Sequence, residues 1–272
     1  MSRSTASTLS FPPFRGTTRR LILANLIAYF VLLLIGVMSP QGADKLGGLL
    51  AFLPGAFVHG YLWQPLTYSL IHPSLWGTLF ELLSLWFLSG FLENFHKPSW
   101  VLALYASAVL GTALAAVVIY AAASIFGLSL LEIPLTGCFG GVFGLLVAIG
   151  YLYGDIEFTL FPLPIQIKAK YLAIIYGLIA IAMLFGQQRF YAFAQLGGAL
   201  AGLIFIRFAP RRGVTFAFSE QLYGLRNRFY RWKRRRAARK FEVYMRSQGR
   251  TIRFDGNGKQ IDEDPDDKKR WN

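Results

Sequence analysis

The chain has 272 residues, of which 54% are hydrophobic and only 15% are charged, and its mean hydropathy is +0.44. Because soluble domains carry about 25% charged residues, this composition excludes a soluble fold. Six stretches of about 16–25 residues are nearly free of charge, which is close to the length that crosses the roughly 30 Å hydrocarbon core of a bilayer. The composition therefore predicts an all-α, polytopic membrane protein with six transmembrane helices.

The first elements divide into a polar segment and a span. Residues 1–20 are polar and basic, which predicts a disordered N-terminal segment. The apolar run Leu21–Met38 is longer than the apolar core of a secretory signal and no clear cleavage site follows it, so we expect a retained span. The segment Gly47–Ile71 is only moderately apolar and contains Trp63, which favours a position at the membrane interface.

Five further spans follow in chain order, which completes a six-span domain over residues 21–208. Their expected bounds are His72–Phe95, Trp100–Phe126, Thr136–Tyr153, Tyr171–Gly186 and Phe190–Phe208.

The basic residues predict the orientation. Cytoplasmic loops of membrane proteins are enriched in Lys and Arg. With the N-terminus inside, the outer loops hold only Lys45 and Arg189, and the inner segments hold the other basic residues that flank the spans: Arg3, Arg15, Arg19, Arg20, Lys97, Lys168 and Lys170. We therefore expect both termini in the cytoplasm and a plasma membrane of the bacterial type.

The C-terminal part is strongly basic. Residues 209–272 hold 18 of the 28 Lys and Arg, against 8 of the 14 Asp and Glu. Nine basic residues lie between Arg226 and Lys240, and apolar residues recur at helical spacing at Phe218, Leu222, Leu225, Phe229 and Trp232. Residues 209–250 are thus predicted to form a basic amphipathic helix, which either packs on the membrane domain or binds anionic headgroups; nucleic acid is a less favoured partner. Residues 251–272 are polar and acidic and are expected to be disordered.

Two spans carry small residues at four-residue spacing. The fourth contains Gly137, Gly141 and Gly140, Gly144, and the sixth contains Ala194, Gly198 and Gly202. Small residues at this spacing allow helix backbones to approach closely in lipid, so the spacing alone indicates tight packing of these two helices.

Several motifs in order resemble the rhomboid family of intramembrane serine proteases. They are WQPLTYSLIH ending at His72, LWF at 85–87 with Glu93, GCFGGVFG at 137–144 and AQLGGALAG at 194–202. The resemblance covers residues 60–208 and implies a six-span fold with a Ser–His dyad: a serine on the fourth span and a histidine on the sixth.

The positions that match the dyad hold other residues in this chain. Phe139 stands at the serine position and Gln195 at the histidine position. Phenylalanine has no hydroxyl, and an amide cannot take a proton near neutral pH, so each change alone removes the nucleophile–base pair. In the second span, rhomboid proteases carry side chains that donate hydrogen bonds to the oxyanion. At the two corresponding positions after His72 this chain holds Gly77, which has no side chain, and Glu81, whose carboxylate would repel an oxyanion.

The resemblance implies a pseudoprotease that binds transmembrane segments of client proteins. His72, Phe139, Phe143 and Gln195 are the expected substrate-binding residues. The alternative is an active intramembrane serine endopeptidase of the rhomboid family. A transporter is disfavoured because the sequence contains no inverted repeat.

Two further expectations concern the polar residues of the site. Cys138 is expected to be a buried structural thiol, and a cysteine enzyme built on Cys138 and His72 is a remote alternative. No cofactor or metal is expected, because the His, Cys, Asp and Glu residues show no sequence spacing typical of metal ligands. Glu81 is expected to be neutral and hydrogen-bonded to Gln195, because desolvation favours the uncharged acid.

Overall fold

The computed structural model describes residues 12–127, 133–160, 165–186 and 188–208, together with parts of the segment 227–261. The chain divides into two compact units, residues 1–211 and 212–272. The first unit is a helical bundle and contains every residue of the candidate site.

Nine helices are described in the first unit. They are α1 Gly16–Met38, α2 Pro40–Leu50, α3 Pro54–Val58, α4 Gln64–Thr67, α5 Leu75–Glu93, α6 Pro98–Ile125, α7 Phe139–Leu152, α8 Ala169–Met183 and α9 Arg189–Phe208, and a 3-10 turn, Tyr68–Leu70, follows α4. Strands β1 (Glu157–Leu160) and β2 (Ile165–Lys168) form an antiparallel pair between α7 and α8.

Four helices in the described part of the chain are long and apolar enough to cross a membrane, namely α1, α5, α6 and α9. The other two predicted spans correspond to shorter apolar helices, α7 with 14 residues and α8 with 15. At 1.5 Å per residue α7 is about 21 Å long, less than the thickness of the hydrocarbon core. The protein is thus a multi-pass helical membrane protein, and its six-span topology remains an expectation.

Helix α7 lies in the centre of the bundle and packs on α5, α6, α8 and α9. Leu145, Ala148 and Ile149 on α7 are fully buried. A helix enclosed by other helices does not have to match the bilayer thickness by itself. Helix α7 can therefore be shorter than the predicted span, Thr136–Tyr153.

The small residues pack where the sequence predicts close contact. A Cβ atom on Gly202 of α9 would lie 2.8 Å from the Cα of Gly144 on α7, and one on Gly111 of α6 would overlap the Cβ of Ala201. Glycine and alanine thus allow α6, α7 and α9 to approach backbone to backbone.

We expect Gly202→Ala to destabilise the bundle by about 1–3 kcal/mol, because the added methyl group meets backbone atoms that cannot rotate away. Gly177→Ala on α8 is the matched control, since no described atom lies within 4 Å of the added Cβ. Thermal unfolding in detergent can be followed with a thiol-reactive dye, because Cys138 is the sole cysteine and is 0% exposed. Equal melting temperatures for the two variants would contradict the proposed packing.

Two buried glutamates on α5 bind the N-termini of two other helices. Glu93 Oε1 accepts hydrogen bonds from the Thr17 and Thr18 N–H groups, at 2.6 and 3.0 Å, in the first turn of α1. Glu81 accepts a hydrogen bond at the start of α7. The two carboxylates lie about 18 Å apart along α5, so one helix orients both of its neighbours.

One predicted bound differs from the structure. Helix α1 begins at Gly16, so residues 16–20, which were expected to be disordered, are helical because Glu93 provides the missing acceptor. The segment Gly47–Ile71 contributes Phe52, Gln64 and Tyr68 to the buried interior, and Leu62 and Trp63 at its tip are exposed. Its position at the membrane interface stays a prediction.

The second unit agrees with the predicted helix where it is described. Residues 227–234, 236–238 and 240–242 are helical. Phe218, Leu222, Leu225 and Arg226 lie outside the described residues. Strands β3 (Arg253–Phe254) and β4 (Gln260–Ile261) pair in the segment that was expected to be disordered, so that expectation is wrong for these four residues.

Candidate functional site

The candidate site lies where the segment before α7 meets the loop before α5. Leu135 pairs with Phe52, and the Gly137 N–H group donates hydrogen bonds to the carbonyl oxygens of Ile71 and Tyr68, at 2.7 and 3.1 Å. Gly137 has φ +86°, a conformation that glycine adopts without strain. A Cβ at this position would also lie 2.7 Å from both carboxylate oxygens of Glu81. Glycine therefore allows the chain to turn closely over that carboxylate.

Glu81 is 5% exposed and lies at the N-terminus of α7. Its Oε2 accepts a hydrogen bond from the N–H group of Cys138, the residue that caps α7, at 2.6 Å. The N-terminus of a helix carries a partial positive charge and free N–H groups, so it stabilises a carboxylate. This contact explains how an acidic residue is accommodated inside the bundle.

The imidazole of His72 is held between α1 and Glu81. Asn25 donates from Nδ2 to the Leu21 carbonyl at 2.7 Å, so its Oδ1 is the acceptor for His72 Nε2–H at 2.9 Å. The other ring nitrogen, Nδ1, lies 3.2 Å from Glu81 Oε2. This Nδ1 atom is buried and has no hydrogen-bond partner among the described residues.

Phe139 and Gln195 occupy facing helices. Phe139 is the first residue of α7 and is half-buried, whereas Gln195 on α9 is 6% exposed. Tyr191, which precedes Gln195 by about one turn of α9, links the two regions, because its hydroxyl donates a hydrogen bond to the Thr136 carbonyl at 2.8 Å. The structure therefore brings the two positions of the resemblance to the same end of the α7–α9 contact.

Gly77 and Phe143 are the two remaining site residues from the sequence analysis, and each contacts a neighbouring residue of the bundle. Gly77 lies in the first turn of α5, where its N–H group donates to the Ser74 hydroxyl, the N-cap, at 3.2 Å. Phe143 on α7 is buried and its ring packs edge-on against Tyr176 of α8, with centroids 6.3 Å apart. The role of Phe143 in substrate binding stays a prediction, as does the match of Gly77 to a lost oxyanion position.

The predicted hydrogen bond between Glu81 and Gln195 is wrong. Among the described residues, the Glu81 oxygens contact the backbone of Cys138 and the imidazole of His72, and no hydrogen bond joins Glu81 to Gln195. The N–H group at the N-terminus of α7 offers stronger electrostatic complementarity to a carboxylate than a neutral amide does.

A group of potential ligands was not anticipated from the sequence. His72, Glu81 and Cys138 are all buried, and one ligand atom from each lies within 4.8 Å of the others. Their separations, nine residues between His72 and Glu81 and 57 between Glu81 and Cys138, match no sequence spacing for metal ligands. The only available signal was that each of these residue types is rare inside an apolar span.

The side chains of Phe139 and Gln195 cannot act as a Ser–His dyad. Phe139 supplies no hydroxyl and Gln195 no basic nitrogen. The remote alternative, a thiol–imidazole pair, gains proximity because Cys138 and His72 belong to the same group. However, the thiol is 0% exposed, so no substrate carbonyl reaches it in this conformation.

Comparison with known proteins identifies a family whose members this chain resembles. A family model described as eukaryotic integral membrane protein (DUF1751) matches residues 19–229, which is most of the chain and includes all the site residues described above. A search of curated proteins finds no match. The family is described as eukaryotic, so it lends no support to the expected plasma membrane of the bacterial type.

Proposed function

The chain belongs to the eukaryotic integral membrane protein family DUF1751, and from this premise we propose that it is a rhomboid-like pseudoprotease that binds transmembrane segments of client proteins without cleaving them. The observation that carries the proposal is the pair Phe139 and Gln195, which lie at the same end of the α7–α9 contact but cannot activate a nucleophile. The protein would thus bind transmembrane segments, as the rhomboid resemblance implies, but would not hydrolyse them.

The backbone at the start of α7 also favours binding over hydrolysis. Free N–H groups at a helix N-terminus can stabilise an oxyanion in acyl-transfer enzymes. Here the Cys138 N–H group donates to the Glu81 carboxylate. A developing negative charge on a substrate carbonyl would lose this donor, and an ionised carboxylate at the same place would repel it.

An apolar groove between α1 and α5 supports binding of a hydrophobic segment. The groove has a volume of about 400 Å³. Its lining includes Ile22 and Leu26 on α1 and Leu79, Leu82 and Trp86 on α5. Its walls suit a row of apolar side chains from a client helix, because lipid-embedded helices associate through close van der Waals contact.

Photocrosslinking tests this proposal. A photoreactive amino acid is placed at position 139, at position 79 in the groove, or at position 114 as a control, since Leu114 is 65% exposed on α6. In proteoliposomes we expect a single-span reporter protein to crosslink from positions 139 and 79, with its mass unchanged. Equal crosslinking from position 114, or cleavage of the reporter, would contradict a non-catalytic binding site.

We also place both termini in the cytoplasm, because basic residues concentrate on one side of the six-span arrangement. In microsomes, an N-glycosylation acceptor inserted beside Lys45 should be glycosylated, and one inserted beside Lys97 should not. Glycosylation of the second and not the first would invert the topology.

The basic helix is proposed to bind anionic lipid. Phe229 and Trp232 are each more than half exposed and their rings stack, and the Arg236 guanidinium lies over the Trp232 ring. A peptide of residues 218–240 should bind vesicles that contain phosphatidylserine and dissociate at high salt, since each nearby basic residue contributes about 1 kcal/mol. A peptide with its Arg and Lys residues changed to Gln is the control. Equal binding of the unaltered peptide to neutral and to phosphatidylserine vesicles at all salt concentrations would show that charge plays no part.

A further inference from the structure

We propose that His72, Glu81 and Cys138 bind a divalent cation of the zinc type, through His72 Nδ1, a carboxylate oxygen of Glu81 and the sulfur of Cys138. The proposal is independent of client binding. The three residues come from the loop before α5, from α5 itself and from the cap of α7, so the cation would join these segments inside the bundle.

The spacing of the ligand atoms suits a small cation. All three atoms lie within 4.8 Å of one another. His72 Nδ1 and Glu81 Oε2 are 3.2 Å apart, and two tetrahedral ligands at zinc–nitrogen and zinc–oxygen distances of about 2.0–2.1 Å are separated by roughly 3.3 Å. This pair therefore has the required separation, and the Cys138 sulfur lies within 4.8 Å of both atoms.

The orphaned nitrogen of His72 is the observation that points to a ligand. The His72 side chain is 0% exposed, and Nδ1 has no hydrogen-bond partner among the described residues. Because Nε2 donates to Asn25, the neutral tautomer leaves a lone pair on Nδ1, directed toward Glu81. Histidine ligands of metals commonly donate their second N–H group to an oxygen atom that fixes the ring, and Asn25 supplies such an oxygen.

Charge balance favours the same conclusion. A carboxylate and a thiolate together neutralise a divalent cation, and the imidazole adds no charge. A neutral complex is the form that a low-dielectric interior tolerates, whereas isolated buried charges are costly. Sulfur, nitrogen and a carboxylate oxygen are ligands that zinc accepts in tetrahedral sites. Three protein ligands leave a fourth position for a water molecule or another oxygen.

Metal analysis of the full-length chain in detergent tests the site. The protein is purified with a tag that contains no histidine, equilibrated with Zn²⁺ and passed over a chelating resin. We expect one zinc per chain in the unaltered protein, and an occupancy at least tenfold lower in His72→Ala and Cys138→Ala. His59→Ala and Glu93→Gln should keep the full occupancy, because neither residue belongs to the group. Absence of zinc from the unaltered chain, or full occupancy in both ligand variants, would overturn the proposal.

Spectroscopy of the unaltered protein keeps the test valid if a ligand variant fails to fold. Zinc X-ray absorption should show one sulfur neighbour at about 2.3 Å. Co²⁺ in place of Zn²⁺ should produce a thiolate-to-metal charge-transfer band in the near ultraviolet, and the same band should persist in His59→Ala. A zinc spectrum without sulfur, together with no charge-transfer band, would show that any bound metal lies elsewhere and that His72 and Glu81 form only a buried pair.

Discussion

Replacing Glu93 by leucine should release the start of α1 from the bundle. The substitution leaves the Thr17 and Thr18 N–H groups buried without their acceptor, and each buried N–H group without a partner costs about 1–3 kcal/mol. We expect a destabilisation of roughly 2–6 kcal/mol in total. Hydrogen exchange in detergent should show faster exchange of the Thr17 and Thr18 amides.

Glu93→Gln is the matched control for this result. Its amide carbonyl can still accept a hydrogen bond, so we expect most of the stability and most of the amide protection to remain. Gly16 has φ +58°, and a Cβ there would lie 2.7 Å from the Glu93 carboxylate. The glycine therefore allows the start of α1 to approach the Glu93 side chain closely. Unchanged exchange in Glu93→Leu would show that the capping contact is dispensable.

Restoring the dyad residues should not restore proteolysis. In the double variant Phe139→Ser, Gln195→His, the Cys138 N–H group still donates to Glu81, and losing one oxyanion donor costs about 2.7–4 kcal/mol of transition-state stabilisation. Cleavage of a single-span reporter in proteoliposomes should therefore remain at background. A fluorophosphonate probe should likewise label the double variant weakly.

A triple variant separates this cause from a simple failure to fold. Adding Glu81→Asn removes the carboxylate and introduces an amide that can donate a hydrogen bond, so cleavage should rise by about a hundredfold or more over the double variant. Phe139→Ala in the same background, which lacks the hydroxyl, is the control and should be inactive. Efficient cleavage by the unaltered chain would contradict the pseudoprotease proposal itself.

Several features of the fold could be predicted from residues that act locally. The spans of α5 and α6 were predicted to within three residues, because long apolar runs bounded by polar residues and Pro98 define helices in a bilayer. The contacts of Gly144 and Gly202 followed from four-residue spacing, since residues that far apart share one helix face. The site was predicted less well, because the partners of Glu81 belong to different elements.

The amino-acid sequence by itself determined that this is a helical membrane protein with close small-residue contacts, and its resemblance to rhomboids predicted Phe139 and Gln195 at the positions of a Ser–His dyad. These properties depend on composition, on spacing within one helix and on the chemistry of single side chains, and none of them requires knowledge of distant partners. The tertiary structure alone decided that α7 is a short central helix, that Glu81 binds its N-terminus, and that His72 and Cys138 meet at the same carboxylate. Residues so far apart in the chain come together only when α1, α5 and α7 pack, so no local pattern can encode their contact.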